Sequence, residues 1–173
     1  MNYLPTLSND TRRLRILNRI AQAIAKIAEG VDVTVEDGGI YTFKNSIGLI
    51  TFNYIDITSL QDEEFPAIFI IPEDASSFVN DGDGWAADAT WPISIYLNVK
   101  TDPGDDARNA YVLNQIETLF HDAAVAVLSD FNLGHAPDTV ASIENFVPNP
   151  FTDPSFGQAV MPVQVRYTEN FFE

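Results

Sequence analysis

The chain has 173 residues, which is enough for one sizeable hydrophobic core and rarely enough for two, so we expect a single domain over residues 1–173. Its 25 acidic and 9 basic residues give a net charge of −16, which repels the phosphates of nucleic acids and the anionic headgroups of membranes. The absence of cysteine excludes disulfides, thiolate metal ligands and a cysteine nucleophile.

The first ten residues lack a basic segment followed by an apolar run, and no stretch approaches the roughly 18 apolar residues of a membrane span. We therefore expect an intracellular protein that does not enter membranes. Two explanations of the acidity stay open, because a solubilising surface and a functional negative surface both require an excess of carboxylates.

Apolar residues recur at helical spacing between residues 11 and 29, which predicts an α-helix over 11–29. Arg12, Arg15, Arg19 and Lys26 fall on one stripe of this helix, away from its apolar face. The stripe suits contact between copies of the chain. The alternative is a solvated face whose cations pair with carboxylates of the same chain, and such pairs contribute little to stability.

Several short strands are predicted after this helix. The turn signal Asp37-Gly38-Gly39 lies within residues 31–57, which we interpret as a β-meander of three antiparallel strands. The unbroken apolar run over 65–72 indicates a central strand that is covered on both faces. Residues 76–89 are polar and glycine-rich, as in a loop or hairpin tip. Residues 91–99 alternate between apolar and polar, which is typical of a half-buried strand.

Helical spacing returns over residues 105–128 and predicts a second helix, which is followed by predicted strands over 140–147 and 160–169. The order of elements is helix, strands, helix, strands, without regular βαβ alternation. We therefore predict an α+β fold, with a mainly antiparallel or mixed β-sheet, two long α-helices packed on one of its faces, and the meander in the N-terminal half.

The sequence carries no motif for catalysis. It has no G-x-S-x-G motif, no glycine-rich phosphate loop and only two histidines, His121 and His135. The segment 80–84 has the spaced oxygen ligands of part of a calcium loop, but Trp85 occupies the third ligand position and the closing glutamate is missing. We therefore expect a non-enzymatic protein with no catalytic residue, no cofactor and no metal site.

Three segments stand in a distinctive order. Phe65-Pro66-Ala67-Ile68-Phe69-Ile70 follows acidic residues, the alternating strand 91–99 follows an acidic loop, and Met161-Pro162-Val163-Gln164-Val165-Arg166-Tyr167 closes the chain after the second helix. With the opening helix, this layout resembles the lambda-like tail terminator family of long-tailed bacteriophages over most of residues 11–171. The resemblance implies a structural virion protein that forms a hexameric ring, caps the tail tube, ends its polymerisation and offers its other face to the head–neck complex.

The resemblance also implies the partners and the location of the protein. The partners are further copies of the chain, the tail tube protein and a neck or head completion protein, while genomic DNA passes through an acidic lumen without specific binding. The protein resides in the tail or neck of the virion after assembly in the host cytoplasm. Ring closure needs a head-to-tail contact, which the basic stripe of the first helix satisfies if it faces acidic loops of a neighbour. The acidic candidates for a contact surface are Asp81, Asp83 and Asp88.

Two other interpretations remain. The first is another tail or neck component, such as a head–tail joining protein or a tail tube subunit, which would share the size and acidity of this chain. A different class is a small-molecule-binding module or an unrecognised enzyme, with a pocket between the second helix and the sheet that Trp85, Trp91 or Tyr111 would line.

Overall fold

The computed structural model describes residues 4–8, 11–35, 38–73, 77–79, 86–100, 108–130, 133, 139–149 and 155–170. Within these ranges the chain forms two α-helices, a seven-stranded mixed sheet and a separate two-stranded sheet. This architecture confirms the predicted α+β class.

In chain order the helices and strands are α1 (Arg12–Ile24), β1 (Asp32–Thr34), β2 (Ile40–Thr42), β3 (Leu49–Thr51), β4 (Ala67–Pro72), β5 (Ser77–Val79), β6 (Ala86–Lys100), α2 (Arg108–Leu128), β7 (Val140–Ile143), β8 (Val147–Asn149) and β9 (Phe156–Asn170).

The centre of the large sheet is the antiparallel pair of β6 and β9. Each of these strands has 15 residues, and they pair along their whole length, from Ala86 opposite Asn170 to Lys100 opposite Phe156. The order across the sheet is β3-β4-β6-β9-β7, while β5 pairs with the first part of β6 and β8 with the first part of β9. This long pair is the scaffold to which the other strands are added.

The two faces of the sheet are covered differently. In β4, Ile68 and Ile70 belong to the main core together with the buried residues of α1 and α2, whereas Ala67 and Phe69 belong to a second, smaller cluster. Because successive side chains of a strand point to opposite faces, both helices lie on one face, as predicted. We call this the helix face and the opposite one the outer face.

The first helix begins one residue later than predicted and ends earlier than predicted. Thr11 is the N-cap, and its side chain accepts a hydrogen bond from the backbone N–H of Leu14 at 3.3 Å. After Ile24 the backbone tightens, because the N–H of Lys26 bonds to the carbonyl of Ala23 and the N–H of Ile27 to that of Ile24. Ile27 is nevertheless buried, so the apolar spacing continued beyond the α-helix itself.

The prediction of a three-stranded antiparallel meander over 31–57 is wrong. β1 and β2 pair antiparallel as a separate hairpin, but β3 pairs in parallel with β4 and joins the large sheet. A parallel pair requires the chain to cross back before the second strand begins. Residues 52–66 make this crossing, and Ile57 and Leu60 pack into the cluster on the outer face.

Other boundaries differ from the predicted ones. β6 begins at residue 86 and β9 at residue 156, earlier than expected, because the two strands pair along their whole length. The predicted strand 140–147 is divided into β7 and β8, which pair with separate parts of β9. The helix predicted over 105–128 is described from Arg108, and residues 105–107 lie outside the described ranges.

Candidate interaction surfaces

The outward side of α1 is polar and cationic. Arg15, Arg19, Gln22 and Lys26 stand at positions i, i+4, i+7 and i+11, and therefore share one side of the helix. We call these four residues the α1 outer face. Gln22 and Lys26 are exposed and the two arginines are half-buried, while Ile20 on the opposite side is fully buried. Lys26 lies in the turn that follows the last helical residue.

Arg12 and Arg19, which belong to the predicted stripe, contact other residues of the same chain. The Nη2 atom of Arg12 donates to Oγ1 of Thr139 at 2.9 Å. Arg19 forms an ion pair with Asp130, in which Nε and Oδ2 are 2.5 Å apart and the side chains are 40% and 15% exposed. The alternative given for this stripe was that its cations pair with carboxylates of the same chain. Arg19 forms such a pair, which links α1 to the turn after α2.

Arg13 and Trp91 form a contact that the sequence analysis missed. The guanidinium of Arg13 lies 4.3 Å from the centroid of the indole ring. The indole N–H donates to the carbonyl of Glu73 at 3.1 Å, and Trp91 is 3% exposed. Trp91 is thus a core residue that is closed to a ligand. Trp85 and the side chain of Tyr111, the other predicted lining residues, lie outside what the structure describes.

Of the three acidic candidates, Asp88 alone falls within the described ranges, and Asp81 and Asp83 lie outside them. Asp88 is exposed near the start of β6, and its Oδ1 accepts a hydrogen bond from the hydroxyl of Thr168 on β9 at 3.1 Å. The two stripe contacts given above are made to Thr139 and Asp130, and neither is made to Asp88.

A second acidic surface lies on the outer face of the sheet, on residues 56–64, which we call the acidic segment. It carries four carboxylates, from Asp56, Asp62, Glu63 and Glu64, of which Asp62 pairs with Lys100 of β6. The sequence analysis noted the acidic residues that directly precede Phe65. It gave no sign that they lie against a sheet face, since that depends on the crossing from β3 to β4.

Local hydrogen bonds fix the shape of the acidic segment. Oδ1 of Asp56 accepts from the backbone N–H of Thr58 at 3.0 Å and from its hydroxyl at 2.8 Å. These bonds, the backbone one above all, hold the pKa of Asp56 below its usual value. Further along, the backbone N–H of Gln61 donates to Oε2 of Glu64 at 2.7 Å, within a capping box. The carboxylates are therefore held in place.

An exposed tyrosine adjoins the acidic segment. Tyr54 is 61% exposed, and its ring meets those of Phe69 and Tyr96 edge-on, with centroid distances of 5.9 Å and 5.3 Å. Burial, with added repulsion from Glu73, raises the pKa of Tyr96. The outer face thus presents an exposed aromatic side chain as well as fixed carboxylates, a combination that is typical of surfaces which bind cationic side chains.

A buried carboxylate tethers the β1–β2 hairpin to α2. Asp122 is 0% exposed and accepts hydrogen bonds from the Tyr41 hydroxyl at 2.9 Å, from the Lys44 N–H at 3.0 and 3.1 Å, and from the backbone and side-chain nitrogens of Asn45 at 2.8 and 2.7 Å. Burial, reinforced by Asp122, raises the pKa of Tyr41 to about 12. The sequence contained a sign that Asp122 is buried, because this residue stands at helical spacing from the apolar Leu119 and Ala126.

We also searched the described part of the chain for metal sites, pockets and membrane-spanning helices. It contains no cluster of three or more histidine, aspartate or glutamate side chains that is placed to hold a metal ion. An open depression of about 460 Å³ lies along β6 and β9, where it is lined by residues that include Asp88, Val140 and Arg166, and so differs from the predicted pocket beneath α2. None of the described helices has the length and apolar character needed to cross a bilayer.

No protein-family model matches this chain, and comparison with curated proteins finds none that is similar to it in sequence. Its function is therefore inferred from its fold and its surfaces.

Proposed function

We propose that this chain is the tail terminator of a long-tailed bacteriophage. In this role it is a structural virion protein without enzymatic activity, and its copies close into a ring of about six. The ring caps the tail tube, ends its polymerisation and provides the surface to which the head–neck complex binds. The partners are further copies of the chain, the tube protein and a neck protein, which meet in the host cytoplasm before the virion is complete.

The observation that carries this proposal is the arrangement of the segments on which the resemblance rests. Those segments lie in β4, β6 and β9, which are neighbours in one sheet, and both helices pack on the same face of that sheet. Segments that are far apart in sequence thus form one contiguous unit. This supports the view that the order of elements reflects a shared fold rather than an accidental similarity of three short apolar strings.

The charge of the chain supports the same proposal. A closed ring of identical copies needs two different, complementary surfaces on each copy, and the cationic α1 outer face contrasts with the remainder of a chain whose net charge is −16. Carboxylates that face a central lumen repel DNA phosphates, so DNA passes without adhering. In this mechanism the protein acts by occupying the end of the tube.

The mass of the purified chain in solution tests the proposal. Light scattering behind size-exclusion chromatography measures this mass at several protein concentrations and ionic strengths. Negative-stain electron microscopy then images any large species. We expect a discrete ring of about six copies. Open-ended tubes would instead indicate a tail tube subunit. A monomer under all conditions, together with a rise in melting temperature in a metabolite screen, would favour a small-molecule-binding module.

A second test addresses capping. We expect the combined variant Asp81→Lys, Asp83→Lys, Asp88→Lys to cap tubes poorly and to give tails of irregular length by electron microscopy, because it reverses the charge of a predicted contact surface. Glu117→Lys, a single charge reversal on the exposed side of α2, is a control at a site outside the predicted contact surface. Circular dichroism checks that the variants fold. Tails of normal length with a folded triple variant would remove these three aspartates from the contact surface.

A further inference from the structure

The two most contrasting surfaces of the chain lie on opposite faces of the sheet. α1 packs on the helix face, since Ile16, Ile20 and Ile24 share the main core with Ile68 and Ile70 of β4. The acidic segment packs on the outer face, since Ile57 and Leu60 share the second cluster with Ala67 and Phe69 of the same strand. Alternation along β4 therefore separates the α1 outer face from the acidic segment by the whole thickness of the sheet.

This separation prevents the two surfaces from meeting within one copy and leaves them available to meet between copies. A contact that joins unlike surfaces on opposite sides of each subunit is heterologous, and it forms a ring if its rotation closes. The geometry therefore suits a head-to-tail assembly.

The two surfaces are also complementary in chemistry. The α1 outer face presents Lys26, which is exposed, and Arg19, whose side chain remains 40% exposed beside Asp130. The outer face of the sheet presents Glu63, an exposed carboxylate in a fixed turn, and Tyr54, which is 61% exposed. Cationic side chains bind to carboxylates and to the faces of aromatic rings, and a partly shielded aromatic with a charged rim is typical of interface centres.

We propose that the α1 outer face of one copy docks onto Tyr54 and the acidic segment of the next copy. The occupant of this patch is thus a second copy of the same chain. The inference rests on the proposed function, because it names the contact that closes the ring. Lys26 lies over the carboxylates of the acidic segment, and Gln22 lies near the exposed Tyr54.

Charge reversal on each side separates this proposal from a general effect of net charge. Lys26→Glu makes the chain more acidic, whereas Glu63→Lys changes the net charge from −16 to −14. If repulsion between whole copies controlled association, Glu63→Lys would strengthen it. The proposal predicts the opposite, that each single variant raises the Kd of self-association by about tenfold or more, because a contact pair becomes two like charges.

A mixture of the two variants tests whether Lys26 and Glu63 contact each other between copies. In an equimolar mixture, Lys26 of one variant meets Glu63 of the other, and the two reversed residues can meet as well, so we expect association to return. The double variant Lys26→Glu, Glu63→Lys should also associate. Glu117→Lys carries the same charge change as Glu63→Lys at an exposed site on α2 and should not weaken association. The readout is sedimentation velocity of the full chain at constant ionic strength, with circular dichroism to confirm folding.

The outcomes distinguish this inference from the proposed function. A wild-type ring together with a Glu63→Lys variant that behaves like Glu117→Lys would overturn the docking surface and leave the ring intact. Failure of the mixture to associate, although both variants fold, would overturn it as well. A wild-type chain that remains monomeric at every concentration would overturn both the ring and the second copy as the occupant of this patch.

Discussion

Asp122 shows how one buried charged residue positions a whole hairpin. Its carboxylate receives donors from Tyr41, Lys44 and Asn45, which belong to β2 and the segment after it, while Asp122 itself lies on α2. A buried carboxylate is costly unless donors satisfy it. The residue therefore constrains the hairpin to one position against the helix, and β3 follows directly from that position.

We predict that Asp122→Asn lowers the free energy of unfolding by about 2–4 kcal/mol. The amide has the size of the carboxylate, but its NH₂ group must face either Tyr41 and Lys44 or Lys44 and Asn45, all of which are donors. Urea unfolding measures the effect. Glu117→Gln, on the exposed side of the same helix, is the control and should leave stability nearly unchanged. An unaltered urea midpoint in Asp122→Asn would contradict this account of the tether.

Tyr41 makes the stability of the chain sensitive to alkaline pH. Its pKa rises from 10.0 to about 12 in the folded chain, so the folded state holds the phenol proton more tightly than the unfolded state does. The resulting stability is fully present below pH 10 and is lost as the pH rises towards 12. The pKa of Tyr96 and that of Tyr167 are also raised by burial, so part of the alkaline loss does not depend on Tyr41.

We therefore predict that Tyr41→Phe has a smaller loss of stability between pH 10 and 12 than the wild type. At neutral pH the variant should be less stable by about 1 kcal/mol, because it lacks the hydrogen bond to Asp122. Urea unfolding at several pH values gives both quantities. Parallel alkaline losses in the two proteins would show that Tyr41 does not titrate with a raised pKa.

At the scale of elements, the sequence predicted the helices and strands that have a local pattern of apolar residues. Ile16, Ile20 and Ile24 stand at helical spacing and are all buried in α1, and Trp91 and Ile93 alternate with half-buried neighbours in β6. The spacing of apolar residues depends only on the geometry of each element, so the existence of the helices and long strands could be predicted, together with the α+β class.

The pairing of β3 could not be predicted in the same way. Leu49, Ile50 and Thr51 are compatible with either an antiparallel or a parallel partner, and the choice depends on how residues 52–66 cross the outer face. That path is set by contacts between residues distant in sequence, such as Ile57 with Phe69. For the same reason the position of the acidic segment was not apparent from the order of its residues.

Gly48, just before β3, and Gly157, in β9, differ in what an added Cβ atom would contact. A Cβ at Gly48 would lie 2.5–2.7 Å from backbone atoms of Glu63 and Glu64, whereas a Cβ at Gly157 would meet side-chain carbon atoms of Val99, Val112 and Ile116. Backbone atoms in a capped turn yield less readily than the ends of side chains.

We predict that Gly48→Ala destabilises the chain by about 2–3 kcal/mol and Gly157→Ala by about 1–2 kcal/mol. Thermal unfolding of the two variants beside the wild type tests this order. Gly48→Ala should also weaken self-association, because Gly48 lies against the backbone of Glu63 and Glu64 in the acidic segment. A Gly157→Ala variant that is the less stable of the two would mean that α2 cannot adjust above β9.

At the scale of the whole molecule, the proposed head-to-tail contact depends on the separation of charge by the sheet. The sequence identified the cationic stripe on α1, because helical spacing is a local property. It could not identify the acidic surface that complements it, because the acidic segment reaches the outer face through the crossing between β3 and β4. Of the acidic candidates taken from the sequence, Asp88 is exposed at the start of β6, and Asp81 and Asp83 lie outside the described ranges.

Because the chain has no native cysteine, a cysteine pair tests head-to-tail closure most directly. The double variant Lys26→Cys, Glu63→Cys, which places the two thiols where the proposed contact brings copies together, is oxidised and its products are separated on a non-reducing gel. The account predicts a ladder of cross-linked species that stops at a closed ring of about six copies. The pair Glu117→Cys, Glu63→Cys is the control and should give no ladder. Material that remains monomeric in the first variant, or a ladder of equal intensity in both, would contradict a ring built by α1 docking on the acidic segment.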